Sequence, residues 1–230
     1  APGAGRVVAT PVRAAAGGDG LRIESRTTYV LDVAATTIRV RYDVTLTNQS
    51  PDVVSGGFIR QRYFPEYSIG ALSEATNFAA TKADGTPLSV RTEPTESPRF
   101  SFVVVDLSPN LFYPSSQTLS ISYDLPRLPP RSEGFTRVNE AFATFPVYGI
   151  GDPGITSVEI QIPEAMQVEL IGSAMEKTER DGLQVYTAEA IADPEEFFVD
   201  VVARDDEKLV RRLVDLGETD VEVLGWPDDP

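Results

Sequence analysis

Between residues 38 and 47 the side chains alternate without a break. Ile38, Val40, Tyr42, Val44 and Leu46 fall on one side, and Arg39, Arg41, Asp43, Thr45 and Thr47 on the other. Successive Cβ atoms of a strand point to opposite faces, so the segment has one apolar and one wet face. A half-buried antiparallel strand satisfies that pattern. Residues 28–33 precede it across Ala34-Ala35-Thr36, a link short enough for a hairpin.

The same period recurs from Leu21 onward, with turn chemistry between the runs. Asn48-Gln49-Ser50-Pro51-Asp52 breaks the chain before a strand over 58–64. Asp84-Gly85 joins the strand around Phe78 to residues 88–91, and Asp181-Gly182 leads into residues 183–186, because Asp-Gly readily takes the positive φ angles of tight hairpins. Residues 99–107 form a strand that Ser108-Pro109-Asn110 is expected to end. In the next strand, 118–124, Leu119, Ile121 and Tyr123 share a face. Val158, Ile160 and Ile162, then Met166, Val168 and Leu170, continue the alternation. Residues 197–203 are apolar except for Asp200, as in a central strand covered on both faces. Val210, Leu213 and Val214 sit at helical spacing, yet the 217–220 turn followed by 221–224 favours a final hairpin.

These runs predict an all-β fold, an antiparallel β-sandwich or saddle of two packed lobes. Residues 1–20 are expected to be a flexible Ala/Gly-rich leader, residues 21–126 a first lobe, 127–134 a Pro-rich seam, and 135–230 a second lobe with a C-terminal hairpin and exit segment. In the seam, prolines remove ladder donors and stiffen the backbone. The leader has the look of a tether left after signal-peptide removal, which places the chain outside the cytoplasm, secreted or at the cell surface.

The side-chain inventory narrows function. Histidine and cysteine are absent from all 230 residues. That removes Ser-His-Asp triads, thiol nucleophiles and the usual zinc ligands, so no cofactor and no metal is expected in this chain. Thirty-five acids against 20 bases give a net charge of -15, which argues against nucleic acid and anionic lipid as partners. No apolar run approaches the length of about 18 residues that spanning a bilayer takes, so no direct membrane insertion is expected. Residues 189–230 hold fourteen acids against four bases, most simply a solvated face and otherwise a charged contact surface for a neighbouring domain. Tyr63, Phe64, Tyr67, Phe112 and Tyr113 could stack a sugar or peptide, although strand aromatics are more often core. Asp205-Asp206-Glu207 and Asp228-Asp229 lack the spacing of a calcium loop and fit solvated turns better.

The order of the pieces from about residue 28 to 229 resembles the N-terminal β-saddle domain of gluzincin (aminopeptidase N-like) zinc metallopeptidases, as in secreted actinobacterial relatives. Tyr29-Val30-Leu31-Asp32 with Ile38-Arg39-Val40 is similar to the family's opening hairpin, and residues 118–123 to the strand closing its first half. Glu140-Ala141-Phe142-Ala143-Thr144-Phe145-Pro146, leading to Gly151-Asp152-Pro153-Gly154, resembles a stretch that lines the family's substrate pocket, with Phe145 where a glutamine is usual. Lys208-Leu209-Val210-Arg211, Val221-Glu222-Val223 and Trp226-Pro227-Asp228-Asp229 look like the hairpin and exit that lead to the catalytic domain. The resemblance implies a downstream domain carrying an H-E-x-x-H zinc motif, with zinc only there. The partners are then that domain of the same polypeptide and its peptide substrate. Phe142, Thr144, Phe145, Tyr148, Asp152 and Trp226 are the candidate substrate-cleft or domain-interface residues. No catalytic residue is assigned. The implied function is a non-catalytic accessory domain that packs on the zinc domain and shapes access to it. The alternatives are a free-standing adhesion or carbohydrate-binding β-sandwich and a carboxylate hydrolase sited at 127–140.

Overall fold

A computed structural model describes residues 6–11, 14–15, 20–129, 132–208, 210–215 and 220–225. All regular structure among them is strand. The largest sheet has eight strands, in the order β16 (Glu176–Arg180), β17 (Leu183–Ala188), β14 (Thr156–Pro163), β3 (Leu21–Asp32), β4 (Thr37–Asn48), β11 (Ser116–Pro126), β7 (Thr76–Lys82) and β8 (Pro87–Leu88). A six-stranded sheet runs β1 (Arg6–Pro11), β6 (Phe58–Leu72), β10 (Phe100–Phe112), β9 (Val90–Pro94), with β2 (Ala14–Ala15) and β5 (Val53–Ser55) also paired to β6. A four-stranded sheet is ordered β12 (Arg137–Val138), β13 (Phe142–Tyr148), β18 (Phe198–Arg204), β15 (Gln167–Gly172), and β19 (Val210–Asp215) pairs with β20 (Asp220–Gly225) as a separate hairpin.

The alternation expected at 38–47 is what the large sheet uses. Ile38, Val40, Tyr42, Val44 and Leu46 are buried, together with Ile23, Tyr29 and Leu31 of β3, Leu119, Ile121, Tyr123 and Leu125 of β11, and Val158, Ile160 and Ile162 of β14. Both smaller sheets contribute to the core against this one face, through Phe64, Tyr67, Ile69, Val103 and Val105 on one side and Phe145, Val147, Val199 and Val201 on the other. Two aromatic contacts mark the joints. Tyr42 stacks on Tyr67 with ring centroids 6.4 Å apart, and Tyr29 on Phe145 at 6.3 Å. The Tyr42 and Tyr67 hydroxyls also hydrogen-bond to each other at 2.7 Å, which gives two fully buried phenols the partner that burial demands.

Several features differ from the sequence expectation. Residues from both sides of 127–134 share the eight-stranded sheet, because β14 pairs in parallel with β3 and carries β17 and β16 into it. Within the leader, Arg6–Pro11 and Ala14–Ala15 are strands parallel to β6, where they satisfy a sheet edge that would otherwise keep open backbone groups. Ser108-Pro109-Asn110 does not end its strand. β10 continues to Phe112 after a register shift between Asp106 and Leu111, so the proline is accommodated in an irregularity instead of a ladder position. In β18 Val199, Val201 and Ala203 are buried while Phe198 is 37% exposed, because the four-stranded sheet is covered on one face only. The hairpin reading of the C-terminal segment agrees with β19–β20.

Candidate functional site

Where the two smaller sheets meet, the chain brings together aromatic residues far apart in sequence. Tyr148 ends β13 opposite Phe198 of β18, with ring centroids 5.6 Å apart. Phe100, the first residue of β10, meets Tyr148 edge-on at 5.8 Å and 72°. Beside this row lies a cleft of about 260 Å³, bordered by Gly70, Phe100, Tyr148, Ile150, Pro194 and Glu195. That volume suits a single inserted side chain better than a drug-sized ligand. Two larger clefts, each about 470 Å³, lie elsewhere. One lies around Arg26, Asp43 and Thr45, and the other sits beside Met175 and Phe197.

The wall of the small cleft is held from below. Ser25 donates its hydroxyl to the Ile150 carbonyl. The Asp152 N–H donates to Ile23 O at 2.9 Å, and Ile23 N–H returns a bond to Asp152 Oδ2 at 2.8 Å. Thr156 donates its hydroxyl to Asp152 O at 2.8 Å. Gly151 has φ +146°, and a Cβ there would lie 2.4 Å from both Ser25 Oγ and Thr156 Oγ1, so this close approach admits glycine alone. Burial, and after it the negative charges of Asp200 and Glu74, push the Tyr148 hydroxyl above its ordinary value, which leaves a neutral phenol at the cleft. Glu74 also holds the segment that follows the seam, since its Oε1 accepts from the N–H of Phe135 at 2.9 Å and of Thr136 at 3.2 Å. The Arg99 guanidinium lies 5.0 Å above the Phe135 ring.

The candidate residues separate by strand parity. Phe142, Thr144 and Tyr148 are half-buried and alternate with the buried Ala143, Phe145 and Val147, and Tyr148 also packs against the edge of the core. Phe145 is 1% exposed and its ring is part of the core against Tyr29, not of the cleft. Asp152 fastens the loop to β3. Trp226, like Asp228 and Asp229, lies outside the described residues. Phe100, Phe198 and Glu195 line or flank the cleft without any local motif to announce them. The aromatic group 63–113 divides too: Phe64 and Tyr67 are core, Tyr63 and Phe112 pair at 5.1 Å, and Tyr113 is 40% exposed. Asp205 is a turn residue, accepting from Glu207 N–H at 3.2 Å and paired with Lys208 Nζ at 3.3 Å.

The zinc that the family resemblance implies belongs to a downstream domain, and this chain has neither imidazole nitrogen nor thiolate sulfur to offer a metal. Comparison with protein-family models and with curated proteins finds no match. Among solved structures the chain is similar to the M1 zinc metallopeptidase from Deinococcus radiodurans, at 14% identity and a TM-score of 0.43, covering 90% of this chain and 47% of that one. It is likewise similar to a two-domain M1 zinc metallopeptidase mutant bound to L-arginine, at 15% identity and a TM-score of 0.44, covering 90% of this chain and 48% of that one. The chain thus spans about half the length of the M1 zinc metallopeptidases to which it is similar.

Proposed function

We propose that this chain is a non-catalytic accessory domain of a gluzincin-like zinc metallopeptidase, secreted or membrane-anchored, which packs on a zinc-bearing domain of the same polypeptide and shapes access to its active site. The observation that carries this reading is the aromatic row Phe100–Tyr148–Phe198. It lies beside a cleft whose wall belongs to the stretch 142–152, the part of the sequence that resembles the family's pocket border. Phe198 leaves 37% of its surface in water, and Phe100 and Tyr148 are half-buried, so the row is apolar area that a docked domain removes from solvent. The staples from Asp152 and Ser25 make that wall rigid, as a surface that limits the approach of bulky peptides requires.

The test compares amide hydrogen exchange of this chain alone with that of the polypeptide carrying the zinc domain. Protection gained at residues 147–152 and 196–199 supports the reading; unchanged exchange there overturns it. The purified chain is expected to hydrolyse no member of a peptide panel, and turnover that survives repurification would equally defeat the proposal. Binding on a glycan array would favour the carbohydrate-binding alternative.

A further inference from the structure

The hairpin formed by β5 and the start of β6 stands away from the core. Its register pairs Val53 with Arg60, Val54 with Ile59 and Ser55 with Phe58, around a Gly56-Gly57 turn. Both glycines have positive φ, +58° and +79°, and a Cβ built on either meets nothing within 4 Å, so the turn itself is open, while β1 runs beside residues 58–63 along the far edge of β6 and leaves both faces of the ribbon uncovered at the tip. Yet it is apolar: Val53, Val54, Phe58 and Ile59 are 44%, 74%, 49% and 36% exposed. Val53 and Phe58 lie on one face of the ribbon and Val54 and Ile59 on the other, because cross-strand partners share a face and neighbours alternate. A flat partner would cover one of these faces. A medium that surrounds the ribbon covers both.

Beyond the tip on the Phe58 face come Arg60 and Arg62, both exposed and neither in an ion pair among the described residues. No acid occurs between Asp52 and Glu66, and Glu66 is held by Arg91. The hairpin is therefore locally cationic on a chain of net charge -15. At physiological salt charges are screened over about 8 Å, so the local pair outweighs distant acids once the tip touches a surface.

We propose that the β5–β6 hairpin is a peripheral membrane-docking loop, whose apolar tip enters the interfacial layer of an anionic phospholipid bilayer while Arg60 and Arg62 bind lipid phosphates. The dimensions agree. At roughly 3.3 Å per strand residue Arg60 and Arg62 lie about 7 and 13 Å behind Phe58, which places the guanidinium groups at headgroup level when the tip is buried by about 5–10 Å. Docking of this kind spans nothing and is independent of the accessory-domain reading. It replaces the general repulsion expected from net charge with one attractive point of contact.

The test uses the whole chain with vesicles of phosphatidylcholine, alone or mixed with phosphatidylglycerol, at low and near-physiological salt. Co-sedimentation with the mixed vesicles is expected, and V54D/F58D, whose fold is checked by circular dichroism, lowers the partition by about tenfold or more. Arg60→Gln with Arg62→Gln weakens binding and flattens its salt dependence. Because the chain has no cysteine, Ser55→Cys carries a single environment-sensitive fluorophore, whose emission shifts to the blue on vesicles. No sedimentation of the wild-type chain with either vesicle, equal binding by V54D/F58D, or a label that stays in water overturns the proposal. So does a double variant that alters only self-association, which would assign the hairpin to a second copy of the chain.

Discussion

The Phe145 ring is 1% exposed and stacked on Tyr29 at 6.3 Å. Phe145→Gln therefore removes a core ring and installs an amide with no partner. Losing the ring and its packing costs about 3 kcal/mol, in line with large-to-small core changes. The unpaired amide adds about 1–3 kcal/mol. Together they make about 4–6 kcal/mol, a large part of the roughly 5–15 kcal/mol that holds a typical domain. For a chain of this length that corresponds to a fall in Tm of roughly 10–20 °C. Phe145→Leu, which keeps the site apolar, should cost only about 1–2 kcal/mol. Urea denaturation followed by circular dichroism, with calorimetry for Tm, measures both. A glutamine variant within about 1 kcal/mol of wild type, or no worse than the leucine variant, would mean that position 145 opens onto the cleft and that its placement in the core is wrong.

Glu159 is a buried carboxylate beneath Arg26, with Arg180 at 3.6 Å. Burial works to raise its pKa, but hydrogen bonds from Gln161 and Arg26 outweigh this and hold it below the ordinary 4.5. Its stabilisation is thus complete above that value and drains as pH falls through the folded-state value, so Glu159→Gln should cost about 1–2 kcal/mol at neutral pH and flatten the acid limb of a stability profile; an unchanged acid limb counts against it. Burial pushes the Tyr29 hydroxyl up to about 12 and raises those of Tyr42, Tyr67 and Tyr123 as well. Raised values favour the protonated fold, whose advantage is full below pH 10 and is lost above it, so absorbance at the phenolate band should show these four ionising in one steep step with unfolding; smooth titration before unfolding would contradict their burial. Gly172 has φ +127° and its missing Cβ would sit 2.3 Å from the Phe198 carbonyl oxygen, so Gly172→Ala should destabilise by about 1–3 kcal/mol in the same urea assay, and a neutral result would refute the close approach of β15 to β18.

Period two and turn chemistry determined the fold class and most local structure. The alternation at 38–47 became β4 with the expected face buried, and both Asp-Gly pairs became hairpin turns, with φ of +84° at Gly85 and +55° and +77° at Asp181 and Gly182. The lack of histidine and cysteine likewise settles, from composition alone, which ligands the chain cannot offer. The site was only partly legible. The stretch 142–152 could be singled out, but not that parity sends Phe145 inward while Tyr148 reaches a cleft, nor that Asp152 fastens a loop to β3. Phe100 and Phe198 carried no local signal, because their significance arises from two sheets meeting over a third. The parallel pairing of β14 with β3 was equally invisible, since its strands lie more than a hundred residues apart. An alternating pattern states that a strand has an apolar face; which surface covers that face, or whether any does, as at Val54 and Phe58, is decided by long-range packing, and so by the tertiary structure alone.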